Sequence, residues 1–177
     1  MIVIVGHGPS IVGKRLGSWL DEQTVIRLKW AEIPTAEDWG SRTDYVCGSN
    51  PSFWLERGPR KLPKLDAEFW WLGEPGRYGS KDVVGRRASN KWFDYWSKYK
   101  VGGSRLVKPS TGLRAVFCAA EFLEPTEIGL IGFDNLLHPE RPPSTKWFHP
   151  PGKYSYAHEH KAEHRALMDL GITITEL

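Results

Sequence analysis

The chain has little of what marks secreted, membrane-spanning or nucleic-acid-binding proteins. Its 177 residues include only two cysteines, Cys47 and Cys118, which are too few for a disulfide framework and favour a reduced, cytoplasmic setting. The apolar stretch Met1–Val5 stops at Gly6, so it is too short for the core of a signal peptide or for a membrane span. The net charge of +3 does not indicate a nucleic-acid binder, although it is compatible with an anionic substrate. We therefore predict one soluble domain over residues 1–177.

Tryptophan, by contrast, is abundant, with nine residues in the chain. Trp92 and Trp96 lie four positions apart within the predicted helix Arg86–Lys100 and form an aromatic stripe with Tyr99. Such a stripe is usually part of a core. The lysines and arginines around it leave a second interpretation open, in which the stripe binds an anionic acceptor or a nucleic acid.

Short β-branched runs alternate with segments of helical spacing along the chain. We predict strands at Ile2–Val5, Thr24–Leu28, Tyr45–Cys47, Phe69–Leu72, Ser104–Val107, Glu127–Ile131 and Ile172–Thr175. We predict further helices at Ile11–Leu20, Leu113–Leu123 and His158–Leu170. This order favours an α/β domain with right-handed crossovers and a mostly parallel sheet flanked by helices.

A glycine-rich turn directly follows the first predicted strand. It consists of Gly6, His7, Gly8, Pro9 and Ser10. Ligands of open α/β sheets bind at the carboxyl ends of the strands, where backbone N–H groups of such a turn can face an anion. The turn has neither the lysine of a Walker loop nor the third glycine of a dinucleotide fingerprint. A tight connection without a ligand is therefore an equally good interpretation.

A second segment of interest, Pro109 to Gly112, precedes the predicted helix Leu113–Leu123. Pro109 fixes the entry, and either Ser110 or Thr111 can cap the helix. Hydroxyl groups and free N–H groups at a helix start also suit a ribose or a phosphate. Taken alone, the segment favours a simple helix cap.

Histidines near the carboxyl end form the third candidate. His158 lies at the start of a predicted helix, whose dipole disfavours the imidazolium, so a neutral His158 can accept a proton near neutral pH. Glu163, five positions later, does not share a helix face with it. His160 and His164 have the spacing of metal ligands, but no third ligand is evident, so a solvated helix face is the favoured interpretation.

Together these segments resemble the sialyltransferase-like family, glycosyltransferase family 29, in its compact microbial or viral form. The family's three motifs have partial counterparts in the same order along the chain. The large motif resembles Ile4–Ser10 with Val25–Arg27, and the small motif resembles Pro109–Gly112 with Glu127–Asp134. The very small motif resembles His158 with Glu163, Leu167 and Gly171. The small motif is the most specific match. The stretch 49–107 has no counterpart in these motifs.

The resemblance implies a Rossmann-like variant of the GT-A fold and an inverting, metal-independent glycosyltransferase. The donor would be a CMP-sugar such as CMP-sialic acid, with no obligatory cofactor, and the acceptor a hydroxyl of a glycan or another molecule, which can be anionic. By position, the nucleotide contacts would be Gly6, His7, Gly8, Pro9, Ser10, Lys29, Ser110, Thr111 and Gly112. His158 would be the general base, and Glu163 would be structural.

Two residues differ from those of the family, and they leave open which nucleotide sugar is the donor. His7 and Lys29 stand where many members have asparagines that contact the nucleotide. The alternatives are a different nucleotide sugar, modification of a nucleic-acid base, or a non-catalytic nucleotide- or glycan-binding module. The family's His/Tyr motif for phosphate or acceptor contacts also has two partial matches, between which the sequence does not decide. They involve His149, Lys153, Tyr154 and Tyr156.

Overall fold

The structure is a computed structural model that describes residues 1–28, 33, 35–48, 67–71, 86–87, 91–99, 109–140 and 160–177. The predicted strand Ser104–Val107 lies outside these residues. That the chain forms a single domain stays a prediction.

The described residues form one parallel sheet of seven strands flanked by helices, which confirms the predicted α/β, Rossmann-like class. The strands are β1 Ile2–Val5, β2 Thr24–Leu28, β3 Tyr45–Gly48, β4 Glu68–Trp71, β5 Arg86–Arg87, β6 Glu127–Ile131 and β7 Thr173–Glu176. Their order across the sheet is β5-β4-β3-β2-β1-β6-β7, and every neighbouring pair is parallel.

The central strands are apolar because both faces of the sheet are covered. Successive side chains of a strand point to opposite faces. On β1, Ile4 packs into the core cluster that contains Leu113, whereas Val3 and Val5 pack into the opposite cluster with Trp39. The β-branched run of β1 therefore reflects burial on both sides, as is usual for parallel sheets.

Six α-helices lie among the described residues. They are α1 Gly17–Leu20, α2 Ala36–Trp39, α3 Lys91–Ser97, α4 Thr111–Leu123, α5 Asp134–Leu137 and α6 His160–Met168. A 3₁₀ turn covers Pro9–Ile11. None of the described helices is long and apolar enough to cross a membrane.

Two predicted helices are wrong in their bounds. Ile11–Leu20 is not one helix, because Gly13 and Arg15 adopt positive φ angles of 80° and 54°, which interrupt it and leave only α1 at its end. In Arg86–Lys100, the first two residues form β5 and the helix is confined to α3. The core interpretation of the aromatic stripe is confirmed for Trp92 and Trp96, which are both buried.

One charged residue lies inside the sheet. Arg27 on β2 is 1% exposed, and its guanidinium donates to the carbonyls of Trp39 and Arg42 and to the hydroxyl of Thr43. Burial lowers the pKa of Arg27 to about 10. Arg27 therefore connects β2 to the segment that leads from α2 into β3.

The two cysteines, Cys47 on β3 and Cys118 on α4, are buried in the same core cluster and carry free thiols. Burial raises the pKa of both thiols, that of Cys118 to about 12. Both therefore remain protonated and act as small apolar side chains near neutral pH.

The strand order reverses at β1. Its neighbours are β2, which follows it in the chain, and β6, which returns to its other side after the outer strands. Such a reversal opens a crevice between the loops at the carboxyl ends of the two strands, where ligands of this sheet type bind. Here the crevice is bordered by the residues after Val5 and after Ile131.

Candidate functional site

The glycine turn is held against the end of β6. The backbone N–H of Gly6 donates to the carbonyl of Ile131 at 2.8 Å, and that of Gly8 donates to the carbonyl of Gly132 at 2.8 Å. These two N–H groups therefore fix the turn to its neighbour strand and do not point at an anion.

Close backbone approach explains why these positions are glycines. A Cβ atom at Gly6 would overlap the carbonyl oxygen of Gly132, and one at Gly8 would overlap that oxygen and the carboxylate of Asp134. Gly132 has a φ of 72°, a conformation that side chains disfavour. The glycine pattern thus has a packing cause at the sheet reversal, independent of any ligand.

His7 joins the turn to β2. Its Nε2 lies 2.7 Å from the carbonyl oxygen of Leu28. Because a carbonyl only accepts, Nε2 carries the proton and donates. Pro9 and Ser10 continue into the 3₁₀ turn, with Pro9 exposed and Ser10 half-buried. The ends of β1, β2 and β6 are thereby connected.

The start of α4 lies beside the same strand ends. Ser110 is the cap residue, since its hydroxyl accepts from the N–H of Leu113 at 3.2 Å, so the cap interpretation is confirmed for Ser110. A Cβ at Gly112 would lie 2.6 Å from the Phe133 ring, which shows that the helix start packs on the residue directly after Gly132. Thr111 is half-buried.

Glu163 on α6 reaches the cap of α4. Its side chain is 1% exposed, and its Oε1 accepts a hydrogen bond from the backbone N–H of Ser110. Burial raises the pKa of Glu163 to about 7, although the bonds from Ser110 and the charge of Arg114 act in the opposite direction. This contact agrees with a structural role for Glu163, which stays a prediction.

Two charged residues here have no role among the sequence-based predictions. Arg114 is 8% exposed, stabilises the Glu163 carboxylate and lies with its guanidinium 5.6 Å from the centre of the Trp92 ring. Asp134 follows β6, and its Oδ2 is buried without a hydrogen-bond partner among the described residues. The signals were an arginine within an apolar helix and a carboxylate three positions after the end of a buried strand.

The structure brings together part of the predicted site. The turn Gly6–Ser10, the helix start Ser110–Gly112 and Glu163 surround the carboxyl end of the sheet at β1 and β6. The remaining predicted site residues, which lie outside the described ones, are Lys29, His149, Lys153, Tyr154, Tyr156 and His158. Their roles stay predictions.

One histidine of α6, His164, is bonded to the neighbouring helix α5. His164 places Nδ1 3.0 Å from the carbonyl oxygen of Leu136, so this nitrogen donates and is not a ligand atom. The described ranges contain no group of three or more His, Cys, Asp or Glu side chains placed to hold an ion.

The sheet order and its reversal point define a Rossmann-like α/β protein. A solved structure with the same fold is the crystal structure of a mammalian sialyltransferase, with a TM-score of 0.57 and 16% sequence identity. The match covers 99% of this chain and 68% of that one. This chain therefore has a sialyltransferase-like fold. No protein-family model matches the sequence, and no curated protein matches it.

Proposed function

We propose that this protein is a glycosyltransferase of the sialyltransferase-like family, family 29, and that it transfers a sugar from a CMP-sugar such as CMP-sialic acid to an acceptor hydroxyl. The observation that carries the proposal is the meeting of the glycine turn, the start of α4 and the end of β6 at the sheet reversal. These are the segments that resemble the family's large and small motifs, although they are separated by about a hundred positions in the chain.

In this proposal the nucleotide lies along the crevice. The hydroxyls of Ser10 and Thr111 and the N-terminal end of α4 supply donors for it. Cleavage of a sugar nucleotide develops positive charge on the sugar and negative charge on the leaving phosphate. Cationic side chains would stabilise that phosphate, and the proposed ones are Lys29 and Lys153, assisted by His149, Tyr154 and Tyr156.

The proposed general base is His158, two positions before the start of α6 in the sequence. It would remove the proton of the acceptor hydroxyl while that oxygen attacks the sugar carbon from the side opposite the phosphate, which inverts the configuration. The contact of Glu163 with Ser110 supports a structural role for Glu163, because it ties α6 to the helix that is proposed to hold the nucleotide.

One observation favours a second candidate, a transferase with a different nucleotide sugar or with a nucleic-acid base as acceptor. His7 stands where the family has a nucleotide-binding asparagine, and its Nε2 is committed to the Leu28 carbonyl. An imidazole fixed in this way does not offer the paired donor and acceptor of an amide. Recognition of the base would then differ from that of the family.

A thermal-shift panel tests the proposal. We expect millimolar CMP to raise the melting temperature more than UMP, GMP or AMP, because CMP is the nucleotide of the proposed donor. A ligand present at 100 times its Kd stabilises the native state by about 2.7 kcal/mol. Ser10→Ala, which removes one of the proposed donor hydroxyls, should reduce the shift, whereas Ser18→Ala, at an exposed serine of α1, should leave it unchanged.

The outcomes separate the candidates. A shift with another nucleotide but not with CMP would support the second candidate and refute the CMP donor. A CMP shift without transfer from CMP-sialic acid to any glycan acceptor would favour a binding module. No shift with any nucleotide would refute the proposed function as a whole.

A further inference from the structure

The carboxylate of Asp134 borders the crevice without a hydrogen bond among the described residues. Its Oδ2 is buried against Gly8, in the volume that a side chain at position 8 would otherwise occupy. The residue as a whole is only half-buried, so the carboxylate lies at the edge of the crevice and not within the core.

A buried carboxylate oxygen without a donor is costly, because it has lost its hydration and gained no hydrogen bond in exchange. The backbone N–H groups of Gly6 and Gly8 do not satisfy it, because they are bonded to the carbonyls of Ile131 and Gly132. Such an exception to hydrogen-bond satisfaction in a native fold calls for a donor from elsewhere. At the sheet reversal, the position where this sheet type binds ligands, a bound ligand can supply it.

Charge limits which part of a nucleotide can lie there. Two like charges at short distance repel each other near a protein surface, so the carboxylate disfavours a phosphate beside the glycine turn. A carboxylate accepts hydrogen bonds and offers no donor while ionised. The vicinal hydroxyls of a ribose are neutral donors that suit such a carboxylate, as they do with acidic residues in other nucleotide-binding folds.

We propose that Asp134 accepts hydrogen bonds from the ribose hydroxyls of the bound nucleotide, which places the ribose over the Gly8 turn and the phosphate away from it. The proposal rests on nucleotide binding as proposed above, and it does not depend on which base the nucleotide carries. Asp134 is then a residue that distinguishes ribonucleotides from deoxyribonucleotides.

The test is the Kd, by titration calorimetry, for CMP and 2′-deoxy-CMP, with UMP, GMP and AMP and their 2′-deoxy forms as parallel pairs. We expect the unaltered protein to prefer the ribonucleotide by roughly 10- to 100-fold, since hydrogen bonds to charged groups are the stronger class. Asp134→Asn should reduce this preference to a few-fold and Asp134→Ala should abolish it. Glu22→Gln, at an exposed acid far from the crevice in sequence, should retain it.

Three results would contradict the inference or its basis. An equal preference in the unaltered protein and in both Asp134 variants would overturn the ribose contact, as would no preference in the unaltered protein. Binding of none of the nucleotides would refute the proposed function itself. If Asp134→Ala does not fold, Asp134→Asn decides, because it keeps the shape of the side chain.

Discussion

Replacing Glu163 by glutamine should remove the loss of stability that ionisation of this buried carboxyl group causes as the pH rises. Glu163 is almost completely buried, and its Oε1 accepts from the Ser110 N–H at the start of α4. Glutamine keeps an oxygen that can accept this hydrogen bond and has nearly the same shape. The substitution therefore removes the ionisation and, with it, the charge interaction with Arg114.

The magnitude follows from the pKa. Burial raises the pKa of Glu163 from 4.5 to about 7 in the folded protein. Below pH 4.5 the group is protonated in both states and costs nothing. As the pH rises from 4.5 through 7, the unfolded chain loses the proton first, so the folded state loses stability, by about 3 kcal/mol in total. Above pH 7 to 8 the loss is complete.

Urea denaturation between pH 4.5 and pH 8.5 measures this effect. We expect Glu163→Gln to match the unaltered protein at the acid end and to exceed its free energy of unfolding by about 3 kcal/mol at the alkaline end. Other titrating groups contribute equally to both proteins and cancel in the difference. The control is Glu22→Gln, an exposed acid. Parallel curves for Glu163→Gln and the unaltered protein would refute the buried carboxylate as the cause.

Two further predictions concern the chemistry and the sheet. His158→Ala should lower the rate of transfer by roughly 10²- to 10⁴-fold while the Kd for the donor stays the same. The control His138→Ala should leave the rate unchanged. An undiminished rate for His158→Ala would rule out His158 as the base. Arg27→Met should lower the free energy of unfolding by about 3 kcal/mol, since it leaves buried carbonyls without donors. The exposed Arg15→Met should cost less than about 1 kcal/mol, and equal losses for the two variants would contradict the argument.

The buried strands were predictable because burial on both faces selects a recognisable pattern of residue types in the sequence. β1, β2 and β6 are covered on both faces, which requires apolar runs such as Ile2–Val5 bounded by glycine or polar residues. The short elements have no such sequence pattern. α2 and α5 have four residues each, barely one turn, so no periodicity is available, and the two arginines of β5 read as part of a helix.

The contacts of the site were only partly predictable. The cap at Ser110 follows from local helix chemistry, and the structure selects it from the two hydroxyls considered. The bond from Ser110 to Glu163 joins positions 53 apart, and the fit of Asp134 against Gly8 depends on how β1 and β6 align. Such contacts follow from sheet register and helix packing, which spacing within the chain does not encode.

The place of β1 in the sheet also governs how the protein can be made. Ile2 pairs with Thr24 on one side and with Ile128 on the other. During synthesis, one edge of β1 therefore stays unpaired until β6 has been translated, more than a hundred residues later. An unpaired apolar edge of this kind is a template for association with other chains. Nascent or truncated forms that end before β6 should therefore aggregate or need a chaperone. The crevice forms only after β6 has paired with β1.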